Sequence, residues 1–217
     1  MLVGDRMSKP VLSVSPETQV QDALAQMRKE NVSRYPVLNK KGKLVGIVSE
    51  SDLLNASPSE ATTLSVWEIN YLLSKITVER VMSKNVITVE EDCTLEEAAR
   101  LMADHRIGGL PVIRNDSVVG IITETDLFRL FLEMMGGRES GIRVSVLIKE
   151  QPGMLHRLTK AIDEAGGNII AVSTFAGEST EDREVTLKVS QMDVAVLQKA
   201  LDSVVEKICD LREIKIR

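Results

Sequence analysis

Cysteine, histidine and aromatic residues are scarce in this chain, which has two Cys, two His, three Phe, two Tyr and one Trp among 217 residues. Cys93 and Cys209 lie far apart and outside any Cys-x-x-Cys or Cys/His cluster, which argues against a disulfide framework and a zinc site. A cytoplasmic, reducing compartment is the expectation. No apolar run approaches the ~20 residues that span a bilayer, and Met1 to Met7 lacks the apolar core of a signal peptide, so no membrane association is expected. Charge of one sign is missing too. Lys plus Arg total 27 against 32 Asp plus Glu, for a net charge of -5, so no global field attracts a phosphate backbone. So few aromatic side chains also argue against stacking platforms for bases, and no nucleic-acid partner is expected. What is present, 43% hydrophobic and 27% charged residues, is the composition of an ordinary globular protein with room for two or three cores.

The first organising feature is an internal repeat. Met7, Ala23, Met27 and Pro36 recur as Met82, Ala98, Met102 and Pro111, each 75 positions later, and Gly46 and Asp52 recur as Gly120 and Asp126, 74 positions later. The turn Asn39-Lys40-Lys41-Gly42 is one residue longer than its counterpart at Asn115-Asp116 and absorbs the slip. Apolar residues at Val20, Ala23, Leu24, Met27 and at Leu95, Ala98, Ala99, Met102 follow the i, i+3, i+4, i+7 spacing of an amphipathic helix. Thr18 with Gln21, and Thr94 with Glu97, supply a capping-box pattern at each start. Tyr35 to Leu38 with Leu44 to Val48, and Leu110 to Ile113 with Val118 to Ile122, read as hairpins. A second apolar helix follows each hairpin, opened by Ser49-Glu50-Ser51-Asp52 or Thr123-Glu124-Thr125-Asp126. Neither copy is large enough to seal a core alone, so the two are expected to pack as one pseudo-twofold unit. Leu64 to Ile76 is expected to be a linking helix.

Both copies carry a hydrophobic-Pro-Val strand and then Gly-hydrophobic-x-Ser/Thr-x-x-Asp: Tyr35-Pro36-Val37 with Gly46 to Asp52, and Leu110-Pro111-Val112 with Gly120 to Asp126. On these residues the segment 1–132 resembles a CBS-domain pair, or Bateman module, with repeat one at about 1–57, the linking helix at about 62–76 and repeat two at about 77–132. Gly136-Gly137-Arg138-Glu139-Ser140-Gly141 has the composition of a hinge, and 133–141 is expected to be a linker. Beyond it, Val144, Val146 and Ile148 alternate as a strand, and Leu155, Leu158, Ala161 and Ile162 mark a helix that Gly166-Gly167 stops. Strands at Ile169 to Phe175 and Glu184 to Val189 come next, then a helix through Leu197, Leu201, Val204 and Ile208, then Leu211 to Ile216. The order βαββαβ is a ferredoxin-like plan. Pro152-Gly153-Met154-Leu155 and Gly166-Gly167-Asn168-Ile169 match the two turns of ACT domains, so 142–217 resembles one. The expected fold is thus mixed α/β (α+β). The whole chain, a CBS pair with one C-terminal ACT domain, resembles the acetoin-utilisation AcuB family.

The CBS resemblance implies an adenine-containing nucleotide (AMP, ADP, ATP or S-adenosylmethionine) as a regulatory ligand, with Asp52 and Asp126 on its ribose diol. An acceptor-only carboxylate suits two vicinal hydroxyl donors, although an Asp at a helix start has a purely structural role as well. Ser49 and Thr123 either cap the helix or reach a phosphate at its N-terminus. Backbone at Tyr35, Pro36, Leu110 and Pro111 would line an adenine slot, and hydroxyls at Ser13 and Thr88 would face the purine. Arg34 would supply phosphate charge where the second repeat has Gly109. His105 and Arg106 read equally well as phosphate contacts and as helix-end charges. The ACT resemblance implies an amino acid near Glu150, Gln151, Gly153 and Asn168, with Glu150 a departure from the family's usual Asn or Asp. No metal ligand set is present, and Cys93 and His156 read as inert. The expected protein is a non-enzymatic ligand sensor and homodimer acting on a protein target. An assembly scaffold and an enzyme using Cys93 or His105 are the rivals, the latter without a base and orienter around its nucleophile.

Overall fold

A computed structural model describes residues 1–56 and 76–216. The linking helix expected over 62–76 falls, apart from Ile76, outside the described residues. The chain divides into two compact units, Met1–Leu127 and Phe128–Arg217.

In the first unit each repeat builds a helix, a hairpin and a second helix. Copy one has α1 (Val3–Arg6), α2 (Val20–Glu30), β1 (Arg34–Leu38), β2 (Leu44–Ser49) and α3 (Glu50–Asn55). Copy two has α4 (Val78–Val81), the short β3 (Val89–Glu90), α5 (Leu95–His105), β4 (Gly109–Arg114), β5 (Ser117–Thr123) and the start of α6 (Glu124–Met134), a helix whose residues from Phe128 onward belong to the second unit. The hairpins β1-β2 and β4-β5 are antiparallel and share a bulge at Val37/Leu38 and Val112/Ile113. Asn115 and Asp116 both have positive φ, at 50° and 61°, which is the geometry a two-residue turn between right-twisted strands requires. In the longer turn, Lys41 N and Lys43 N donate to Asn39 Oδ1 at 2.9 and 3.1 Å. Ala23, Met27, Tyr35, Val37, Val48 and Leu53 close the first core, all at or below 1% exposure.

The copies interlock rather than merely abut. Ser8 bridges Ile121, and Ile47 bridges Ser83, so the lead segment of each copy pairs with the second hairpin strand of the other. The repeated Met and Gly explain each other here. A Cβ on Gly46 would strike Met82 Sδ, and one on Gly120 would strike Met7 Sδ. A small residue in one repeat makes room for a large one in its mate.

Helix-end expectations change at three places up to the Gly136-Gly137 segment. The start of α2 is not closed by Thr18: its N-cap is Gln19, without a side-chain hydrogen bond. Backbone does that work, since Val20 N donates to Ile76 O at 3.0 Å, while Thr18 O accepts from Val78 N, at the start of α4, at 2.8 Å. Thr94 does cap α5, accepting from Glu97 N at 3.2 Å, but the Glu97 carboxylate turns to Arg100 at 2.6 Å instead of closing the box. Gly136-Gly137 is not an open hinge. Gly136 (φ 57°) donates to Glu133 O at 3.1 Å and Gly137 to Leu132 O at 2.6 Å, the paired bonds of a Schellman stop to α6. Gly136 O in turn accepts from Lys188 Nζ at 2.9 Å.

The second unit runs β6 (Gly141–Lys149), α7 (Met154–Glu164), β7 (Asn168–Ala176), β8 (Asp182–Ser190), α8 (Val194–Leu201) and β9 (Lys207–Ile214). Sheet order β7-β8-β6-β9 is the expected ferredoxin-like plan. Val144, Val146, Ile148, Val185, Leu187 and Val189 face Leu158, Ile162, Leu197 and Leu201 in its core. The last helix is shorter than its apolar spacing suggests. It ends at Leu201, and Ile208 packs on the same core from β9, opposite Val146. A strand residue there satisfies the same i+7 match as a further turn of helix.

Candidate functional site

After each hairpin the chain closes a reciprocal capping motif. Ser49 caps α3: its Oγ accepts from Asp52 N at 3.2 Å, while Ser49 N and Oγ donate to Asp52 Oδ2 at 2.8 and 2.7 Å. Thr123 and Asp126 repeat this with 3.4, 3.0 and 2.7 Å. It is a capping box with Asp in the answering position. The hydroxyl residue is therefore the cap, and the Asp stands three residues inside the helix. The Ser49 and Thr123 protons are already committed to a carboxylate, so a direct phosphate contact from them requires the box to open. No described residue donates to Oδ1 of Asp52, which leaves acceptor capacity on that carboxylate.

Asp52 lines a cavity of ≈ 330 Å³ together with Arg34, Ile47 and Ser49 of the first copy. Its other wall comes from the second copy: Ser83, Asn85, Val86, Ile87 and Arg106 to Gly109. Arg34 lies deep in it. Burial lowers the pKa of its guanidinium, while the charges of Glu124 and Asp52 raise it again. Arg34 Nε is buried without a hydrogen-bond partner among the described residues. The guanidinium fits because the facing residues have no side chains: a Cβ on Gly108 would strike Arg34 Nη2, and one on Gly109 would come 2.9 Å from Arg34 Cδ. Arg106 sits at the exposed mouth as the C-cap of α5, in left-handed backbone at φ 54°. Asn31 holds the equivalent place in copy one, at φ 53°. Asn tolerates that conformation and Arg does not favour it.

Of the residues expected at a nucleotide site, the structure gathers Arg34, Ser49, Asp52, Arg106 and Gly109 around this cavity. Others lie elsewhere. Tyr35 and Leu110 are core residues at 1% and 0% exposure, and Tyr35 Oη donates to Glu30 Oε2 at 2.5 Å. Burial, with Glu30 beside it, pushes the Tyr35 phenol well above its usual value. Pro36 and Pro111 lie within the hairpins, and Pro36 O accepts from Val14 N at 3.2 Å. Ser13 and Thr88 stand one residue before their parallel pairings and do not line the cavity, and neither does the exposed His105. Ser83, Asn85, Val86, Ile87, Ile107 and Gly108 were not anticipated. The sequence signal for Gly108 was the pair Gly108-Gly109 standing opposite Ser33-Arg34 under the repeat offset.

In the second unit, Glu150, Gln151 and Gly153 line a cavity of ≈ 600 Å³ with Thr174, His156 and Arg183. Glu150 is ion-paired with Arg183. Asn168 is not part of it. β6 and β7 each pair antiparallel with β8, where Lys149 faces Asp182 while Asn168 faces Ser190. Eight residues of strand, roughly 26 Å, separate the two places, because α7 returns the chain to the opposite end of the sheet.

Cys93 reads as unreactive: burial raises its thiol pKa, and Glu97 and Asp92 raise it further, the opposite of an activated nucleophile. Among the described residues, no group of three or more His, Cys, Asp or Glu is placed to hold a metal ion, and no helix is long and apolar enough to cross a membrane.

Two interlocked repeats that share a cavity, followed by a ferredoxin-like unit, define the architecture of a tandem-repeat module joined to a βαββαβ domain. The CBS-domain model matches residues 3–59 and 78–133, and the TTHA0829-like ACT domain model matches residues 140–212. The chain belongs to the CBS-domain family and carries a C-terminal ACT domain. The CBS pair of protein MJ0100, solved with 5'-methylthioadenosine and S-adenosyl-L-methionine, is 32% identical with a TM-score of 0.52, over 64% of this chain and 98% of that one. CBSX2 in complex with AMP is 32% identical with a TM-score of 0.52, over 61% and 97%. AcuB of Vibrio cholerae, assigned to acetoin utilization, is 30% identical with a TM-score of 0.52, over 64% and 98%. Sequence matches span 92% of one Methanocaldococcus jannaschii relative and 23% of another.

Proposed function

We propose that this chain is a regulatory sensor whose CBS pair binds an adenine-containing nucleotide in the cavity between its repeats, and that it catalyses no reaction. The observation that carries this reading is Asp52, whose Oδ1 remains available beside Arg34 in a cavity within the size range of small-molecule sites. In the proposed pose the ribose diol donates to Asp52, the base lies against Val86, Ile87 and Ile107, and the phosphate points toward Arg106. Ligand-bound relatives support the ligand class. A mouth bearing Arg106 favours an anion, so AMP and ADP are expected to bind more tightly than S-adenosylmethionine. Thermal shift and calorimetry with these ligands test this, since a site at 100-fold saturation adds about 2.7 kcal/mol. No response to any adenine ligand would leave the scaffold reading in place.

For the ACT domain the reading extends to an amino acid in the turn cavity at Glu150, Gln151 and Gly153, without Asn168. Calorimetry across the amino acids checks it, and the absence of heat from all of them rejects it. The proposed form is a homodimer. Phe128, Phe131 and Met134 of α6 are 68%, 55% and 61% exposed, more apolar surface on one helix than isolated exposed residues account for, and β7 and β9 are sheet edges. Sedimentation at micromolar concentration is expected to give twice 23.9 kDa; a monomer would refute it. A nucleotide shifts the protein only through unequal affinity for two arrangements, and an unidentified protein target would read them.

A further inference from the structure

The ACT sheet has a second face, turned away from α7 and α8. Strand alternation puts Val144 and Val146 in the core and Arg143 and Ser145 on this other side. Ser145, Thr186 and Lys188 are nevertheless only 2%, 5% and 5% exposed. The end of α6 and its glycine stop are packed there: Ser173 Oγ donates to Met135 Sδ at 2.8 Å, and Lys188 Nζ to Gly136 O at 2.9 Å. Between them lies a cavity of ≈ 390 Å³.

Its chemistry is lopsided. Two cations, Lys188 and Arg143, line it with the hydroxyls of Ser173 and Thr186, and no acidic side chain does. An ammonium has three donors, and among the described residues Lys188 has one hydrogen bond, to a neutral carbonyl. Glu133 and Glu139 flank Gly136 but line a neighbouring cavity with Arg129 and Arg138 rather than this one, and the carboxylates of the sheet face itself are engaged or distant. Asp210 is paired with Arg143 at 2.6 Å and also with Arg212, and Arg212, then Arg143, hold its carboxyl below the usual range. Glu184 lies four residues from Lys188 along β8, about 13 Å. A buried charge without a counter-ion is costly. The remaining lining is apolar, including Phe131, Leu132, Ala171 and Ile214.

We propose that this cavity is a binding site for a small carboxylate with a short apolar tail, its carboxylate held by Lys188 and its tail against Phe131, Leu132 and Ile214. The absence of an acidic group in the lining discriminates against an α-ammonium, so a 2-oxo or simple aliphatic acid is preferred over the matching amino acid. The site is separate from the turn cavity and from the nucleotide cavity of the CBS pair.

Calorimetry on the full chain with isovalerate, 4-methyl-2-oxopentanoate, leucine and inorganic phosphate tests it. The first two are expected to bind, leucine at least tenfold more weakly, and phosphate not at all. Lys188→Met is expected to weaken binding about ten- to a hundred-fold, the loss of one charge-assisted hydrogen bond. Ser173→Leu keeps both cations, fills the cavity from a half-buried edge-strand position and abolishes binding in a folded protein. A Lys188 that only caps α6 predicts a lower melting temperature without any of these affinity changes. Silence from both carboxylates, tighter binding of leucine or phosphate, or carboxylate affinities unchanged in both variants overturns the proposal. AMP titration of the same variants is expected to be unaltered, which separates failure here from failure of the nucleotide reading.

Discussion

Asp52→Ala is expected to weaken AMP binding about ten- to a hundred-fold and to lower stability by ~1 kcal/mol in the same variant. The first effect follows from removing a charge-assisted hydrogen bond, the second from opening the Ser49–Asp52 box. The two effects separate in Ser49→Ala. That change removes the cap and leaves the carboxylate, so stability falls by a similar amount while affinity stays within a few-fold. Asp126→Ala tests the corresponding place in copy two, whose Thr123–Asp126 box has the same geometry. The two variants are expected to differ in effect, because Arg34 shares the cavity with Asp52 and copy two has Gly109 at the matching position. Calorimetric titration and a melting curve on each variant supply both readouts. Unchanged AMP affinity in both Asp variants and in their double variant would defeat the sensor reading.

The repeat was legible in the sequence because the same packing problem is solved twice, so Met, Ala, Pro, Gly and Asp return at a fixed offset. The offset matches each residue with its twin but does not say which copy it faces. The cavity wall is shared across copies: Asp52 of copy one faces Asn85 to Ile87 of copy two because Ile47 pairs with Ser83. That pairing is long-range and leaves no periodic trace. The ferredoxin-like order was legible from alternation and Gly-Gly stops, whereas the ends of elements were not. Gly136-Gly137 has the composition of a linker, yet its positive φ and backward hydrogen bonds terminate a helix. The ACT resemblance groups Asn168 with the Pro152-Gly153 turn, but the helix between them carries the chain the full length of the sheet. Lys188 gave no signal at all, since a lysine within a strand normally marks the solvent face.

Gly46→Val is expected to destabilise the CBS pair by ~1–3 kcal/mol through overpacking, and the contacts that cause it make the effect reversible in a specific way. A side chain at Gly46 meets Met82 Sδ and Cγ first and Ser83 O, at 3.1 Å, behind them; at Gly120 it meets Met7 Sδ and Cγ and then Ser8 O at 3.0 Å. The sulfur end of Met is adaptable, whereas Ser83 O and Ser8 O belong to the bridges that lock the copies together. Shortening the correct Met therefore recovers part of the loss. Met82→Ala is expected to rescue Gly46→Val, and Met7→Ala to rescue Gly120→Val, with coupling of about 0.5–3 kcal/mol for residues in contact. The mismatched pairs, Gly46→Val with Met7→Ala and Gly120→Val with Met82→Ala, share no contact and are expected to add. Denaturant midpoints across the four double variants check this. Rescue by the Met within the same copy, or equal additivity in all four, would show that the repeats do not interlock through these residues. The cross-copy wall of the nucleotide cavity would then lack its mechanical basis.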